Sequence, residues 1–157
     1  IAAGAAHACG INTAGAALCW GRNKSGQLGL GTITSSSPFG FATPQLVTGG
    51  HTFTQLSAGF IFNCGVRTDG AGFCWGGNSG GSLGSGMFSP TTVPTPGVVV
   101  GGHTFHAIGA GDRHACGVTT GGDTFCWGRN RDGELGDGTF ANNATPQFAI
   151  DLDPTVP

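Results

Sequence analysis

Charge is scarce in this chain. Only 9% of its 157 residues are Asp, Glu, Lys or Arg, against about 25% in an ordinary soluble domain, so it is expected either to be short-lived as a free monomer or to have most of its surface covered by something else. The six Lys and Arg residues are scattered and the formal net charge is −2, which excludes the basic face that nucleic-acid binding requires. Long apolar runs are missing too. No stretch of about 20 apolar residues could span a membrane, and no charged segment leads into a shorter apolar one as in a secretory leader. The first residue is Ile1 rather than Met, so a processed or excised product is expected, with a leader or further repeats upstream. No eleven-residue window carries apolar residues at helical spacing. Nor is there a G-x-S-x-G elbow, an HExxH pair or a G-x-x-x-x-G-K-S/T loop. No catalytic residue, cofactor or metal is therefore expected.

Glycine, in contrast, supplies 32 residues, and it recurs in a pattern. The segments CGINTAGAALCWGRNKSGQLGLGT (Cys9 to Thr32), CGVRTDGAGFCWGGNSGGSLGSG (Cys64 to Gly86) and CGVTTGGDTFCWGRNRDGELGDGT (Cys116 to Thr139) repeat one another. The first cysteines are 55 and then 52 residues apart, a period that suits propeller blades of short strands.

Within each unit the two cysteines are ten positions apart, with Thr13-Ala14-Gly15, Thr68-Asp69-Gly70 and Thr120-Gly121-Gly122 midway between them. A three-residue hairpin loop ends with a residue at positive φ, which Gly15, Gly70 and Gly122 adopt without a Cβ penalty. That register sets Asn12 against Ala16, and Cys9 opposite Cys19, Cys64 opposite Cys74, and Cys116 opposite Cys126. Directly paired residues lie roughly 4.5–5.5 Å apart between Cα atoms, within disulfide range. Three cross-strand bridges are expected, and with them an oxidising compartment, secreted or at the cell surface. The alternatives are six buried free thiols or metal ligands, though the close CxxC or Cys/His groupings of zinc sites are missing.

Short apolar runs bounded by Gly, Pro and Ser mark the chain as all-β. Each unit supplies four antiparallel strands, drawn in the second as Leu56 to Gly59, Phe62 to Arg67, Ala71 to Gly76 and Thr92 to Val100 around a glycine-rich excursion to Gly86. The repeats are expected at residues 1–55, 56–107 and 108–157, in one structural domain without linkers.

The run W-G-x-N-x-x-G-x-L-G at Trp20 to Gly29, Trp75 to Gly84 and Trp127 to Gly136, preceded by a "SAG…C-G-V-x-T-x-x-G" segment, resembles the repeat of the regulator of chromosome condensation family. The resemblance covers nearly the whole chain. It implies a propeller, usually of seven blades, in a family that includes a nuclear guanine-nucleotide exchange factor, ligase-associated modules and secreted bacterial proteins that bind other proteins. Neither exchange activity nor chromatin binding carries over, because no loop matches a switch-contacting segment and no basic face exists.

Three blades fall short of the four to eight that close a ring, so two flanks are expected to stay open and to need a cap or a partner. Charge is divided to match. Arg22, Lys24, Arg67 and Asp69 give +2 up to Gly111, whereas Arg113, Arg129 and Arg131 against Asp112, Asp123, Asp132, Glu134, Asp137, Asp151 and Asp153 give −4 beyond it. Head-to-tail self-association into a ring or fibre follows as one expectation, with Arg22, Lys24, Asp132, Glu134, Asp137, Asp151 and Asp153 as candidate contacts. The other is a segment of a larger seven-bladed propeller that binds a protein or glycan through its variable loops, above all Arg22 and Lys24 in the first repeat and Arg129, Arg131, Asp132 and Glu134 in the third.

The remaining motifs read as structure. Trp20, Trp75 and Trp127 point away from the cysteine face and suit packing between blades. The glycine-rich run Gly21 to Gly31 recurs at one position in all three repeats with no helix after it, so it builds turns rather than a phosphate cradle. His7 and His114 share a position that holds Phe62 in the middle repeat, and His51 and His103 share a GGHTF motif; packing or a backbone hydrogen bond is expected of them. His106 has no counterpart and is expected to be exposed. Asn23-Lys24-Ser25 and Asn143-Ala144-Thr145 are compatible with glycosylation.

Overall fold

Short apolar segments interrupted by glycine fold back on themselves as hairpins, and the chain does so throughout. Its structure, a computed structural model, describes residues 1–149. Those residues form three four-stranded antiparallel sheets, each a simple meander. The first holds β1 (Ala2–Ala3), β2 (His7–Ile11), β3 (Ala17–Arg22) and β4 (Gly40–Leu46). The second holds β5 (Phe53–Ala58), β6 (Phe62–Arg67), β7 (Gly72–Gly77) and β8 (Thr92–Val98). The third holds β9 (Phe105–Ala110), β10 (His114–Thr119), β11 (Thr124–Gly128) and β12 (Asn143–Phe148). The sheets are successive blades of a propeller, and a single 3-10 turn at Ser79–Gly81 is the one piece of helix among the described residues.

Strand β5 begins at Phe53 and β9 at Phe105, three residues ahead of the repeat boundaries that the sequence suggested at 56 and 108. The reason is packing: the phenylalanine of each GGHTF motif is 2–3% exposed and anchors the start of its strand in the core.

In the central hairpins the expected register holds. Cys9 pairs with Cys19, Cys64 with Cys74 and Cys116 with Cys126, and each pair is joined as a disulfide, with Cα atoms 4.0–4.1 Å apart. Gly15, Gly70 and Gly122 close the turns at φ of 79°, 84° and 96°. A second glycine position follows each tryptophan. Pairing with the fourth strand slips between Cys19 and Gly21, Cys74 and Gly76, and Cys126 and Gly128, and these glycines sit at φ of 95°, 108° and 111°, the signature of a bulge that re-aims the strand.

Because successive residues of a strand face opposite ways, the cysteines mark one face of every blade and the tryptophans the other. The cysteine face of each blade packs on the tryptophan face of the next. Cys9, Cys19, Leu28 and Val47 thus meet Phe53, Leu56, Phe73 and Trp75. Across the second seam Cys64, Cys74, Leu83 and Val99 meet Phe105, Ile108 and Trp127. Each seam also carries an indole hydrogen bond: Trp75 Nε1 donates to the Gln27 carbonyl at 3.1 Å, and Trp127 Nε1 to the Ser82 carbonyl at 3.0 Å. Gln27 and Ser82 occupy the same place in their repeats, so one contact is built twice.

Both seams are laced further by polar groups. Gly31 N–H donates to Pro94 O and Gly86 N–H to Ala144 O, both at 2.8 Å. Between β5 and β9 the Gln55 side chain binds both the N–H and the C=O of Ile108, and Ser57 Oγ accepts from Ala110 N–H. At the first seam, His7 Nε2 lies 3.1 Å from Asn63 Oδ1, and Asn63 Nδ2 donates to the Gln27 carbonyl that also receives Trp75. Burial lowers the His7 pKa, with the Asn63 contact and the Phe62 backbone working against the shift, so this imidazole is held neutral as a packing group.

Two stability measurements follow. Replacing Cys64 and Cys74 by serine opens a loop of ten residues, and urea titration should show a loss of about 2–3 kcal/mol. Trp75→Phe removes one of the two donors to the buried Gln27 carbonyl and shrinks a fully buried side chain, which should lose on the order of 2–3 kcal/mol. Trp20→Phe, at a position only half-buried, should lose less than about 1 kcal/mol; equal losses at the two positions would contradict the seam described above.

Candidate interaction surface

A propeller blade has two large faces, and among the described residues no sheet lies against the outer faces of the terminal blades. On the first blade, Ile1 is 95% exposed where its counterparts Leu56 and Ile108 are 9% and 1% exposed. Trp20 is half-buried where Trp75 and Trp127 are completely covered. The expectation that all three tryptophans pack between blades thus holds for two. Trp20 departs from it because no sheet among the described residues packs on its face, and its indole has no hydrogen-bond partner among them. On the third blade, Val118 is 39% exposed where its counterpart Val66 is 2% exposed. The peptide carbonyl of Glu134, equivalent to those of Gln27 and Ser82, receives no tryptophan among the described residues. The two flanks are therefore complementary in kind: one offers the indole donor, the other the acceptor.

The long loop after each tryptophan is fixed by a residue whose role sequence inspection did not assign. Asn23, Asn78 and Asn130 are at most 1% exposed. In each the amide oxygen accepts from the N–H of Leu28, Leu83 or Leu135, at 3.1, 3.2 and 2.9 Å. The amide nitrogen donates to the carbonyl of Thr32, Met87 or Thr139. Strict recurrence of a buried-type polar residue in a loop was the signal. The Asn23 amide of the first sequon is thus buried and bonded to the Thr32 carbonyl, while Asn143 is partly exposed and its Oδ1 accepts from Thr145.

The charged candidates are distributed over two loops at opposite ends of the chain. Arg22 and Lys24 sit on the loop side of the first blade. Arg22 is exposed and has no ion-pair partner among the described residues; Lys24 Nζ lies 5.4 Å above the Phe39 ring. In the third blade the acids are already engaged at home. Asp132 pairs with Arg129 at 2.8 Å. Glu134 accepts from Asp132 N–H and lies 3.6 Å from Arg129 Nε. Asp137 accepts from Asn130 and Thr139. Burial works against the charge on Glu134 and Asp137, yet these hydrogen bonds hold both carboxyls below their ordinary pKa. Asp151 and Asp153 lie outside the described residues. The structure does not bring Arg22 and Lys24 together with Asp132, Glu134 or Asp137 within one chain.

Two clefts open between blades on this loop side. The first, of about 460 Å³, lies between blades 1 and 2 and is lined by Ala5, Ala6, Arg22, Gln27, Phe60 and Ile61, with Ser25. The second, of about 280 Å³, lies between blades 2 and 3, where Arg113, Arg129 and Arg131 converge near Asn142. Arg113 and Arg129 are paired there with Asp112 and Asp132. Loop apolar side chains add to the surface: Ile33, Phe88 and Phe140, at one repeat position, are 50%, 54% and 74% exposed.

Of the histidines, His51 and His103 pack on Phe73 and Phe125 with ring centroids 4.5 and 3.9 Å apart, and His106 is exposed. Among the described residues no three His, Cys, Asp or Glu side chains converge on a point where a metal could bind. No helix among them is long and apolar enough to cross a membrane.

Comparison with known proteins agrees with this architecture. The regulator of chromosome condensation (RCC1) repeat matches residues 1–27 and 105–134, and a second description of the same repeat matches 121–154. The ultraviolet-B receptor UVR8 of Arabidopsis thaliana is 32% identical over 149 residues, which make up 94% of this chain and 33% of the receptor. The probable E3 ubiquitin-protein ligase HERC4 of Homo sapiens is 30% identical over 97% of this chain and 14% of the ligase. Prp20p from Saccharomyces cerevisiae, described with its binding to Gsp1p and histones, superposes with a TM-score of 0.83 at 19% identity, over 97% of this chain and 38% of its own. Human WBSCR16 superposes with a TM-score of 0.80 at 22% identity, over 93% and 36%. The chain thus spans only 14–38% of these proteins. The repeat description matches segments in both the first and the third blades, and the chain belongs to the regulator of chromosome condensation repeat family.

Proposed function

We propose that this chain is a non-catalytic, protein-binding propeller segment, and that its two flanks bind blades of its own kind. The observation that carries this reading is the unfinished indole seam. Two seams inside the chain bury Trp75 and Trp127 on a neighbouring carbonyl, while Trp20 and the Glu134 carbonyl stand ready at opposite ends for the same contact. The apolar flank around Ile1, Leu18 and Trp20 has no other evident use, because exposed apolar patches of this kind mark interaction sites. The completing blades belong either to a longer polypeptide or to a second copy, and the short coverage of the relatives favours the former.

Protein binding is also what the relatives' own descriptions carry: Prp20p is described with Gsp1p and histones, and in another structure bound to Kap60. The three disulfides favour an oxidising, extracellular setting. Charge has a smaller part in the proposal than the sequence suggested, since Asp132, Glu134 and Asp137 are spoken for within their own blade. Apolar burial and the indole bond drive the association instead.

The test is light scattering on the 157-residue chain without reductant, across protein and salt concentrations. A dimer, ring or growing polymer is expected, its fraction rising with concentration, changing little with salt, and falling at least tenfold in apparent affinity in Trp20→Asp. A monomer at all concentrations would overturn the proposal that these flanks accept blades of the same kind.

A further inference from the structure

The first and third blades solve the same loop problem with different groups, and the difference leaves the first blade short of an acceptor. In the third blade, one Glu134 carboxylate oxygen accepts from Asp132 N–H at 2.8 Å, and the other faces Arg129 Nε at 3.6 Å. The equivalent pair in the first blade is Gln27 and Arg22. Gln27 Oε1 accepts from Ser25 N–H at 2.8 Å, which is the same turn bond and which fixes the amide orientation. The second terminal atom is then a donor. Among the described residues, Gln27 Nε2 is buried without a hydrogen-bond partner, on a residue that is 0% exposed, and the Arg22 guanidinium lining the same cleft has no ion-pair partner. Two donors, one of them charged, line one cleft where the third blade has a carboxylate between donors.

An unmet buried donor costs roughly 1–3 kcal/mol, so such a group points to a partner. The cleft that holds both donors has a volume of about 460 Å³, with apolar walls from Ala5, Ala6, Phe60 and Ile61. Gln27 lies at its buried floor and Arg22 at its exposed rim. The middle blade has Gly77 and Ser82 at the two positions, and Ser82 Oγ is satisfied by Gly77 O. The arrangement therefore belongs to the first blade alone.

We infer that the cleft between blades 1 and 2 binds an acidic side chain of a protein partner, its carboxylate bridging Gln27 Nε2 and the Arg22 guanidinium and its methylene stem lying on Phe60 and Ile61. A carboxylate is the group that fits, because it can accept from two donors at once and balances the Arg22 charge. The apolar walls select the longer glutamate over aspartate. The inference rests on the protein-binding reading above but not on how the flanks are closed, since the cleft is complete within one chain.

The test is an NMR titration of the isotope-labelled 157-residue chain, following the Gln27 side-chain amide and the Arg22 Nε–H signals. The probes are the doubly capped tripeptide acetyl-Gly-Glu-Gly-amide, its Gln analogue, and acetyl-Gly-Gly-Gly with a free C-terminus. Saturable shifts of both signals are expected with the Glu probe, at an affinity at least fivefold above the other two. Arg22→Ala and Gln27→Glu should each weaken binding at least fivefold. Gln27→Glu keeps the turn bond, as Glu134 does, so it should fold as well as the parent. Absence of saturable shifts, equal response to the Gln probe, tighter binding of the free C-terminus, or undiminished binding in Gln27→Glu would each overturn the assignment. A monomer in light scattering that still binds the Glu probe would leave this site standing and remove only the flank proposal.

Discussion

A single four-stranded sheet with two apolar faces cannot be stable in water, and this constraint governs everything else in the chain. Each blade buries its cysteine face on the tryptophan face of the next, and the indole bond to a loop carbonyl fixes how the two faces meet. The disulfides act inside this arrangement. By joining β2 to β3, β6 to β7 and β10 to β11 they lock the central hairpin of each blade, so that the cysteine face is presented as a rigid, small-residue surface. The buried asparagines do the same for the long loops, which carry the acceptor carbonyls to the next blade's tryptophan. Rigidity within a blade therefore serves the contact between blades.

Most of this was legible because it repeats. A ten-residue spacing with a glycine midway dictates one hairpin register, and that register pairs Cys9 with Cys19 and its two counterparts without further information. What repetition could not disclose is which copy stands at an edge. Trp20 has the same neighbours in sequence as Trp75 and Trp127, yet no described sheet packs on its face and it stays half-buried where they are fully covered. The bulges after each tryptophan were hidden for another reason. A glycine at positive φ within a strand looks in sequence like any other glycine of a glycine-rich segment, and only the slipped pairing distinguishes it. The strand starts at Phe53 and Phe105 were misplaced because a lead-in rich in Gly and His reads as loop until its aromatic ring is seen to be core.

The charges teach a different lesson. Their division along the sequence suggested attraction between the ends, but Asp132 and Glu134 are held by Arg129, and Asp137 by Asn130 and Thr139. In a chain with so few charges, local loop chemistry uses most of them. An informative residue is then Arg22, whose repeat counterpart Arg129 faces a carboxylate, whereas Arg22 lines a cleft with Gln27. Variation set against a repeat framework locates function better here than net charge does.

The central claim is that one contact, an indole donating to the preceding blade's loop carbonyl, is made twice among the described residues and is missing there at Trp20 and at the Glu134 carbonyl. Solvent exchange of the three tryptophan indole N–H groups measures this directly in dilute, monomeric protein. The account predicts strong protection at Trp75 and Trp127 and fast exchange at Trp20, with Trp20 gaining protection as the chain associates. Equal protection of all three in the monomer, or fast exchange at Trp75, would contradict it.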